Sequence, residues 1–334
     1  MTARFLVAAA ALALLAAGCG VPESSPSGAA TADPAGCTGR SDDTAAAPTA
    51  LTLALVPSGD ADKLVESVKP LEAALTQRLG IPVRGVITQD YQAAVEAIGA
   101  DQAQIGFLPS LQMIQACTRY GADPVLQTRR NRKTSYAAQF FTNNPSKYCA
   151  DAPAPDARGN LFCNGTAAGN GPAGLDALPR ITGATVSFLQ AASPAGYIFP
   201  VAALKKAGVD AATDVKTVQV TANDASVLAV YRGDAEVGVS YWDARTVVQK
   251  DTPDVGRKVV TFALTDEIPN DGVSLSGRLS TAWQKKITAA LTDYAGTPDG
   301  VAALTAIYQI TGLAPADPAA LQRTQQAAAA IGLG

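Results

Sequence analysis

From residue 51 onward, short apolar runs and amphipathic runs take turns, and that alternation limits what this chain can fold into more than any other feature. LTLALVP at 51–57 has the length and composition of a buried strand. Leu64, Val68, Leu71, Leu75 and Leu79 then recur on one helical face until Gly80 closes the helix, with Pro70 predicting a kink inside it. VRGVIT (83–88), QIGFLP (104–109), PVLQTRR (124–130) and YAAQFF (136–141) read as further strands. Between them lie the helical runs DYQAAVEAIGA, with Asp90 as its cap, and SLQMIQACTRYG, with Ser110 as its cap. Strands separated by helices imply a mainly parallel sheet with both faces covered.

Residues 142–182 break the rhythm. They are rich in Asn, Gly, Pro and Asp and read as an insertion loop. The alternation then resumes with ATVSFL, GYIFPVAALKKAG, TVQVTA, NDASVLAVYRG, AEVGVS, YWDARTVVQ and RKVVTFAL, and the chain turns mostly helical after 280. Two alternating runs around an insertion predict two α/β lobes. Late helices returning to the first lobe would leave a cleft between them, where strand ends and helix N-termini meet a ligand.

The N-terminus bears on compartment. MTARFLVAAAALALLAAGC carries one cation, Arg4, and then an apolar stretch of about 13 residues, too short for a membrane span and suited to a signal peptide. It ends in Ala16-Ala17-Gly18-Cys19, which resembles a bacterial lipobox with Ala16 where leucine is preferred. The expectation is a signal peptide at 1–18 and an exported lipoprotein lipidated at Cys19 and anchored to the outer face of the cell membrane. Residues 19–48, dominated by Ala, Ser, Pro, Gly, Thr and Asp, read as a flexible tether. Four more cysteines, an even number, suggest disulfides in an exported chain, with three pairings open. Cys149 and Cys163 flank the turn-rich loop and are the favoured pair; Cys37 and Cys117 remain. A zinc site is the alternative, although no CxxC spacing supports it.

Composition removes several function classes. Of 334 residues, 48% are hydrophobic and 16% charged, as in a compact fold, and the net charge of −3 gives no basic face for nucleic acid. There is no histidine, so histidine-based triads and the usual zinc sites are out. With no GxSxG and no metal-ligand spacing, the chain reads as a binding protein without a cofactor or metal rather than an enzyme. A monomer is expected.

A set of landmarks narrows this further: VPSGD at 56–60, PLEAALTQRLG at 70–80, DYQAAVEA at 90–97, IGFLPS at 105–110, SPAGYIFP at 193–200, LAVYRGDAEVGVSYWD at 228–243 and IPND at 268–271. In order and spacing they resemble the substrate-binding protein of a phosphate/phosphite/phosphonate ABC transporter, of the phosphonate-binding type. The resemblance implies a bilobal type II periplasmic-binding-protein fold, two α/β lobes joined by two hinge strands, with a ligand-binding role and no reaction. It divides the chain into lobe 1 at 49–134 and 264–334, and lobe 2 at 135–263 carrying the disulfide-stapled insertion at 142–182. The implied partners are a small phosphorus oxyanion (phosphonate, phosphite or phosphate) and a membrane permease. A different small organic ligand, or a sensor without transport, stays open.

The resemblance also implies site residues. Family members place a Ser-Thr-Ser-Gly stretch at a strand-to-helix corner, where hydroxyls and backbone N–H groups cradle the oxyanion. Here the corner reads Ser193-Pro194-Ala195-Gly196, two hydroxyls and one N–H short, so Ser193, Ala195 and Gly196 form a reduced cradle or a plain helix start. Tyr91 and Tyr136 match cleft tyrosines. Ser58 and Ser110, at the first and third strand-helix turns, are donor positions or caps. Asp243 and Asp271 match positions that pair a ligand ammonium, although each also suits a turn or cap. Asn223-Asp224 reads as a helix start, Tyr241-Trp242 as lobe core or a stacking pair, and the run Arg129-Arg130-Asn131-Arg132-Lys133 as a solvated face outside the site.

Overall fold

The computed structural model describes residues 37–58 and 61–333. The leader at 1–18 and Cys19 lie outside the described residues.

The first half of lobe 1 follows the alternation. Strand β1 (Leu51–Leu55) leads to α1 (Ala61–Leu79), β2 (Val83–Ile87) to α2 (Tyr91–Gly99), and β3 (Ile105–Leu108) to α3 (Ser110–Tyr120) and β4 (Asp123–Arg129). Asp90 caps α2, its Oδ1 accepting from the Ala93 N–H at 2.7 Å. Gly121, at φ 69°, ends α3 in the left-handed conformation that costs glycine nothing.

The chain then crosses to lobe 2 as β5 (Ser135–Thr142). The insertion follows, with α4 (Pro145–Tyr148), β6 (Ala154–Pro155) and β7 (Leu161–Phe162). It is stapled by Cys149–Cys163, and the second disulfide joins Cys37 to Cys117. Next come β8 (Thr185–Phe188), a π-helical turn at Pro194–Ile198, α5 (Phe199–Lys206), β9 (Lys216–Gln219), α6 (Asn223–Arg232), β10 (Val237–Tyr241), α7 (Arg245–Val248), α8 (Val255–Lys258) and β11 (Val260–Pro269).

The return to lobe 1 is β12 (Gly272–Leu275), followed by α9 (Thr281–Ala295), α10 (Pro298–Tyr308), β13 (Gly312–Pro315) and α11 (Pro318–Ala330). The lobe 1 sheet runs β13-β4-β12-β3-β1-β2 and the lobe 2 sheet β6-β7-β11-β5-β10-β8-β9. Each has its own apolar core, centred on Leu53, Leu55, Phe107 and Leu75 in lobe 1 and on Phe140, Phe188 and Phe262 in lobe 2.

Three features depart from the sequence reading. Strand β11 keeps pairing with β5 as far as Pro269 opposite Ser135, so the second crossing falls at Asn270 and Asp271 instead of 264. Residues 37–48, expected in the flexible tether, lie along lobe 1. The Arg40 N–H donates to Gly121 O, the Asp42 N–H to Leu279 O, the Thr281 N–H to Asp43 Oδ1 and Gln284 Nε2 to Arg40 O, while Cys37 is bonded to Cys117. Covalent and polar ties hold what apolar content would not. Third, the Ser193 corner opens a π-turn before α5 instead of one continuous helix.

The two crossings are laced together. Buried Asn270 donates from Nδ2 to the Thr128 and Lys133 carbonyls, its N–H donates to Thr134 O, and the Thr128 N–H donates to Asp271 O. Helix α11 packs behind both lobes. Its Thr324 hydroxyl bonds Ser110 of lobe 1 at 2.8 Å, and Ala328 shares a buried cluster with Leu111, Ala195, Ile198 and Phe199.

Candidate functional site

A cavity of about 190 Å³ lies between the lobes, directly in front of the two crossings. That suits a solute of a few heavy atoms, well below the ~300–1,000 Å³ pockets of drug-sized ligands. Lobe 1 contributes Ser58, Tyr91, Pro109 and the end of α10 up to Tyr308 and Gln309; lobe 2 contributes the Ser193 corner, the start of α6 and Tyr241. Arg130, Tyr136 and Asp271 come from the crossings themselves.

The lobes touch around this space. Asn223 Nδ2 donates to Ser58 O at 3.3 Å, Gln112 Nε2 to Ala192 O at 3.1 Å and Gln309 Nε2 to the Tyr241 hydroxyl at 3.3 Å. Buried tyrosines form much of the wall. Burial pushes the Tyr91, Tyr136 and Tyr308 hydroxyls above their ordinary range, and the same cause, opposed by the Arg130 charge, puts Tyr241 at about 12. All four therefore stay protonated at neutral pH, and Tyr308 already donates its O–H to Val56 O at 2.6 Å.

At the floor, Arg130 Nη2 donates to Asp271 Oδ2 at 2.6 Å and Arg130 Nε to Tyr308 O at 2.8 Å. The Arg130 guanidinium also stands 5.8 Å from the Tyr136 ring centroid. At the corner, Ser193 Oγ accepts from the Gly196 N–H at 3.1 Å. Asn223 is buried with Oδ1 unpartnered, and Asp224 accepts from the Ala225 N–H.

Of the residues singled out in the sequence, Ser58, Tyr91, Tyr136, Ser193, Ala195 and Asp271 line the cavity. Gly196 does not: its N–H is engaged by Ser193, and a Cβ there would stand 2.5 Å from that of Leu189, so packing requires the glycine. Ser110 does not either, and it is not the cap of α3, since Pro109 precedes the helix and the Ser110 hydroxyl is held by Thr324. Asp243 is turned away into lobe 2. Arg245 Nε donates to its Oδ1 at 2.9 Å and Nη2 to its Oδ2 at 2.8 Å, with Asn160 Nδ2 as a further donor. That carboxylate has no ammonium to await.

Arg130 reverses the reading of the basic run. A tight turn with Asn131 and Arg132 at positive φ sets Arg130 opposite Lys133, and alternation along the strand sends Arg129 outward and Arg130 into the cavity. Asn223 and Asp224 do open α6, as read, but not as its cap. The N-cap of α6 is Ala222, without a side-chain bond, and both side chains face the cavity instead. Tyr241 lines the site while Trp242 packs on Phe162 at 6.3 Å. The signal for Asn131 was in the sequence, as asparagine tolerates left-handed turns; Tyr308, on a late helix of lobe 1, left no local signal.

A family model for the periplasmic substrate-binding protein of phosphonate ABC transporters matches residues 53–321. The chain belongs to this family. A binding-protein component of an ABC phosphonate transporter from Pseudomonas aeruginosa is 16% identical, with 84% of this chain and 86% of that one covered at a TM-score of 0.69. PhnD1 from Prochlorococcus marinus, solved in complex with methylphosphonate, is 14% identical over 86% of this chain and 100% of that one, at 0.71. A protein from Xanthomonas citri, solved bound to ATP, is 18% identical over 85% and 97%, at 0.63. The architecture is therefore that of type II periplasmic binding proteins, and membership makes the chain a substrate-binding component of transport. Among the described residues there is no cluster of three or more possible metal ligands, and no helix is long and apolar enough to cross a membrane.

Proposed function

We propose that this chain is the lipoprotein receptor of an ABC importer. Anchored at Cys19 on the outer face of the membrane, it captures a small anion-bearing solute between its lobes and delivers it to a permease. The observation that supports this reading is the cavity at the crossings, walled by both lobes and closed by hydrogen bonds between them. Ligand contacts in the cleft stabilise the closed form, and the closed form docks. The reading assigns the chain no reaction.

A phosphorus oxyanion, as phosphonate, phosphite or phosphate, is the ligand class that family membership suggests. Arg130, the Ser58 and Ser193 hydroxyls, the Tyr91 and Tyr136 hydroxyls and the Ala195 N–H are the donors proposed to meet it. Micromolar binding needs about −8 kcal/mol net, within reach of several such contacts in a dry cleft. A second reading, a small organic ligand with a cationic group, draws on Asp224, Asp271 and the unpartnered Asn223 Oδ1 in the same cavity.

Thermal unfolding of the chain with phosphate, phosphite, methylphosphonate and sulfate tests the ligand. A compound at 100 times its Kd adds about 2.7 kcal/mol of stability. A shift with a phosphorus compound and none with sulfate supports the first reading; no shift with any phosphorus compound contradicts it. Capture of a permease by the loaded chain tests the transport role.

A further inference from the structure

The cavity holds a charge arrangement that a plain oxyanion leaves unused. Among its described lining residues, Lys63 and Arg130 stand against Asp224 and Asp271, two cations to two carboxylates. An anion that took the Arg130 guanidinium for itself would strand Asp271, whose side chain is 17% exposed, without its partner.

The other unused group is an acceptor. Asn223 is only 5% exposed, and the donation of its Nδ2 to Ser58 O fixes the orientation of the amide. Its Oδ1 then has no partner among the described residues, which calls for a donor on the ligand. The corner, in contrast, is poor in donors: Pro194 has no N–H, and that of Gly196 is engaged by Ser193. A tetrahedral dianion brings three oxygens and two charges to such a place. A carboxylate brings two coplanar oxygens and one charge, the same kind of group to which Arg130 Nη2 already donates in Asp271.

We propose that Arg130 and Asp271 are a divisible ion pair that selects an aminocarboxylate zwitterion. The ligand carboxylate takes Arg130, and the ligand ammonium takes Asp271, with Asn223 Oδ1 and Asp224 as further acceptors. One ion pair becomes two and no charge is left alone. The tyrosine walls suit the cationic end as well, since ring faces attract ammonium groups. The inference rests on the receptor reading and sets an aminocarboxylate in place of the phosphorus oxyanion as its ligand.

Calorimetric titration of the full chain in mild detergent at low salt tests it. The probes are glycine, L-alanine, β-alanine and γ-aminobutyrate, the separate halves acetate and ethylammonium, and phosphate and methylphosphonate. At least one aminocarboxylate is expected to bind more than about 100-fold tighter than either half. Asp271→Asn should lose that affinity by a similar factor and gain acetate binding, because Arg130 is released; Arg130→Gln should lose both. Binding of phosphate or methylphosphonate with no aminocarboxylate bound overturns the inference and leaves the receptor reading intact. So does an aminocarboxylate whose affinity is unchanged in Asp271→Asn. Silence from every probe, together with failure to capture a permease, overturns both.

Discussion

Two arginine–aspartate pairs in this chain look alike in the sequence and differ in the structure. In the Arg245–Asp243 pair the side chains are 0% and 4% exposed, and nearly every valence is filled. The guanidinium grips both carboxylate oxygens, donates to the Leu161 and Val259 carbonyls and lies 4.4 Å from the centroid of the Phe162 ring. In the Arg130–Asp271 pair they are 23% and 17% exposed, joined by a single contact at the edge of a cavity. Saturation marks a charge that holds the fold; an open valence beside a cavity marks one that waits for something. Both aspartates matched ligand positions by resemblance, and only the surroundings separate them.

The largest effect expected is on the saturated pair. Arg245→Met leaves Asp243 buried and alone, and should cost about 3–5 kcal/mol in denaturant unfolding. A loss below about 1 kcal/mol would break the comparison. Next is the staple. The insertion that Cys149–Cys163 closes supplies Asn160 to Asp243 and Leu161 and Phe162 to Arg245, so replacing both cysteines by serine should cost about 3 kcal/mol. Combined with Arg245→Met it should cost less than the sum, and strict additivity in a double-mutant cycle would deny the coupling.

The open pair should behave the other way round. Asp271→Asn is expected to change unfolding stability by no more than about 1 kcal/mol while removing most of the ligand affinity. A large stability loss would make it a second structural pair. The smallest effect belongs to a third, half-exposed pair. Burial pushes the Glu236 carboxyl up, but bonds from Lys147 and Tyr148 outweigh it and leave the group below its ordinary range. A depressed carboxyl stabilises the fold above its unfolded value, and that contribution disappears as pH falls through the folded value. Glu236→Gln should therefore flatten the acid side of the stability profile and leave neutral pH nearly unchanged; an unaltered acid limb would remove Glu236 from the account.

Much of the framework was legible because alternation and periodicity report burial. Leu64, Val68, Leu71, Leu75 and Leu79 were read as one face of α1, and all are buried. Both disulfides of the structure are among the pairings that four cysteines allow. Strand β13 was missed because Gly312–Pro315 is four residues long and ends in proline, a combination tolerated at the sheet edge where it lies. The 37–48 segment was missed because hydrogen bonds and a disulfide hold it, and composition records neither. In the cavity Tyr91 and Tyr136 could be placed by motif. Arg130 could not, because the side chain that enters is decided by the register of a hairpin, and a run of cations looks solvated in every register.

The most direct test is a crystal structure of the chain with the tightest-binding compound from the titrations. The account predicts the ligand in the interlobe cavity, its anionic group on Arg130, and the Arg130–Asp271 contact opened to admit it. A ligand bound elsewhere, or one in the cavity with Arg130 still paired to Asp271 and untouched, would contradict it.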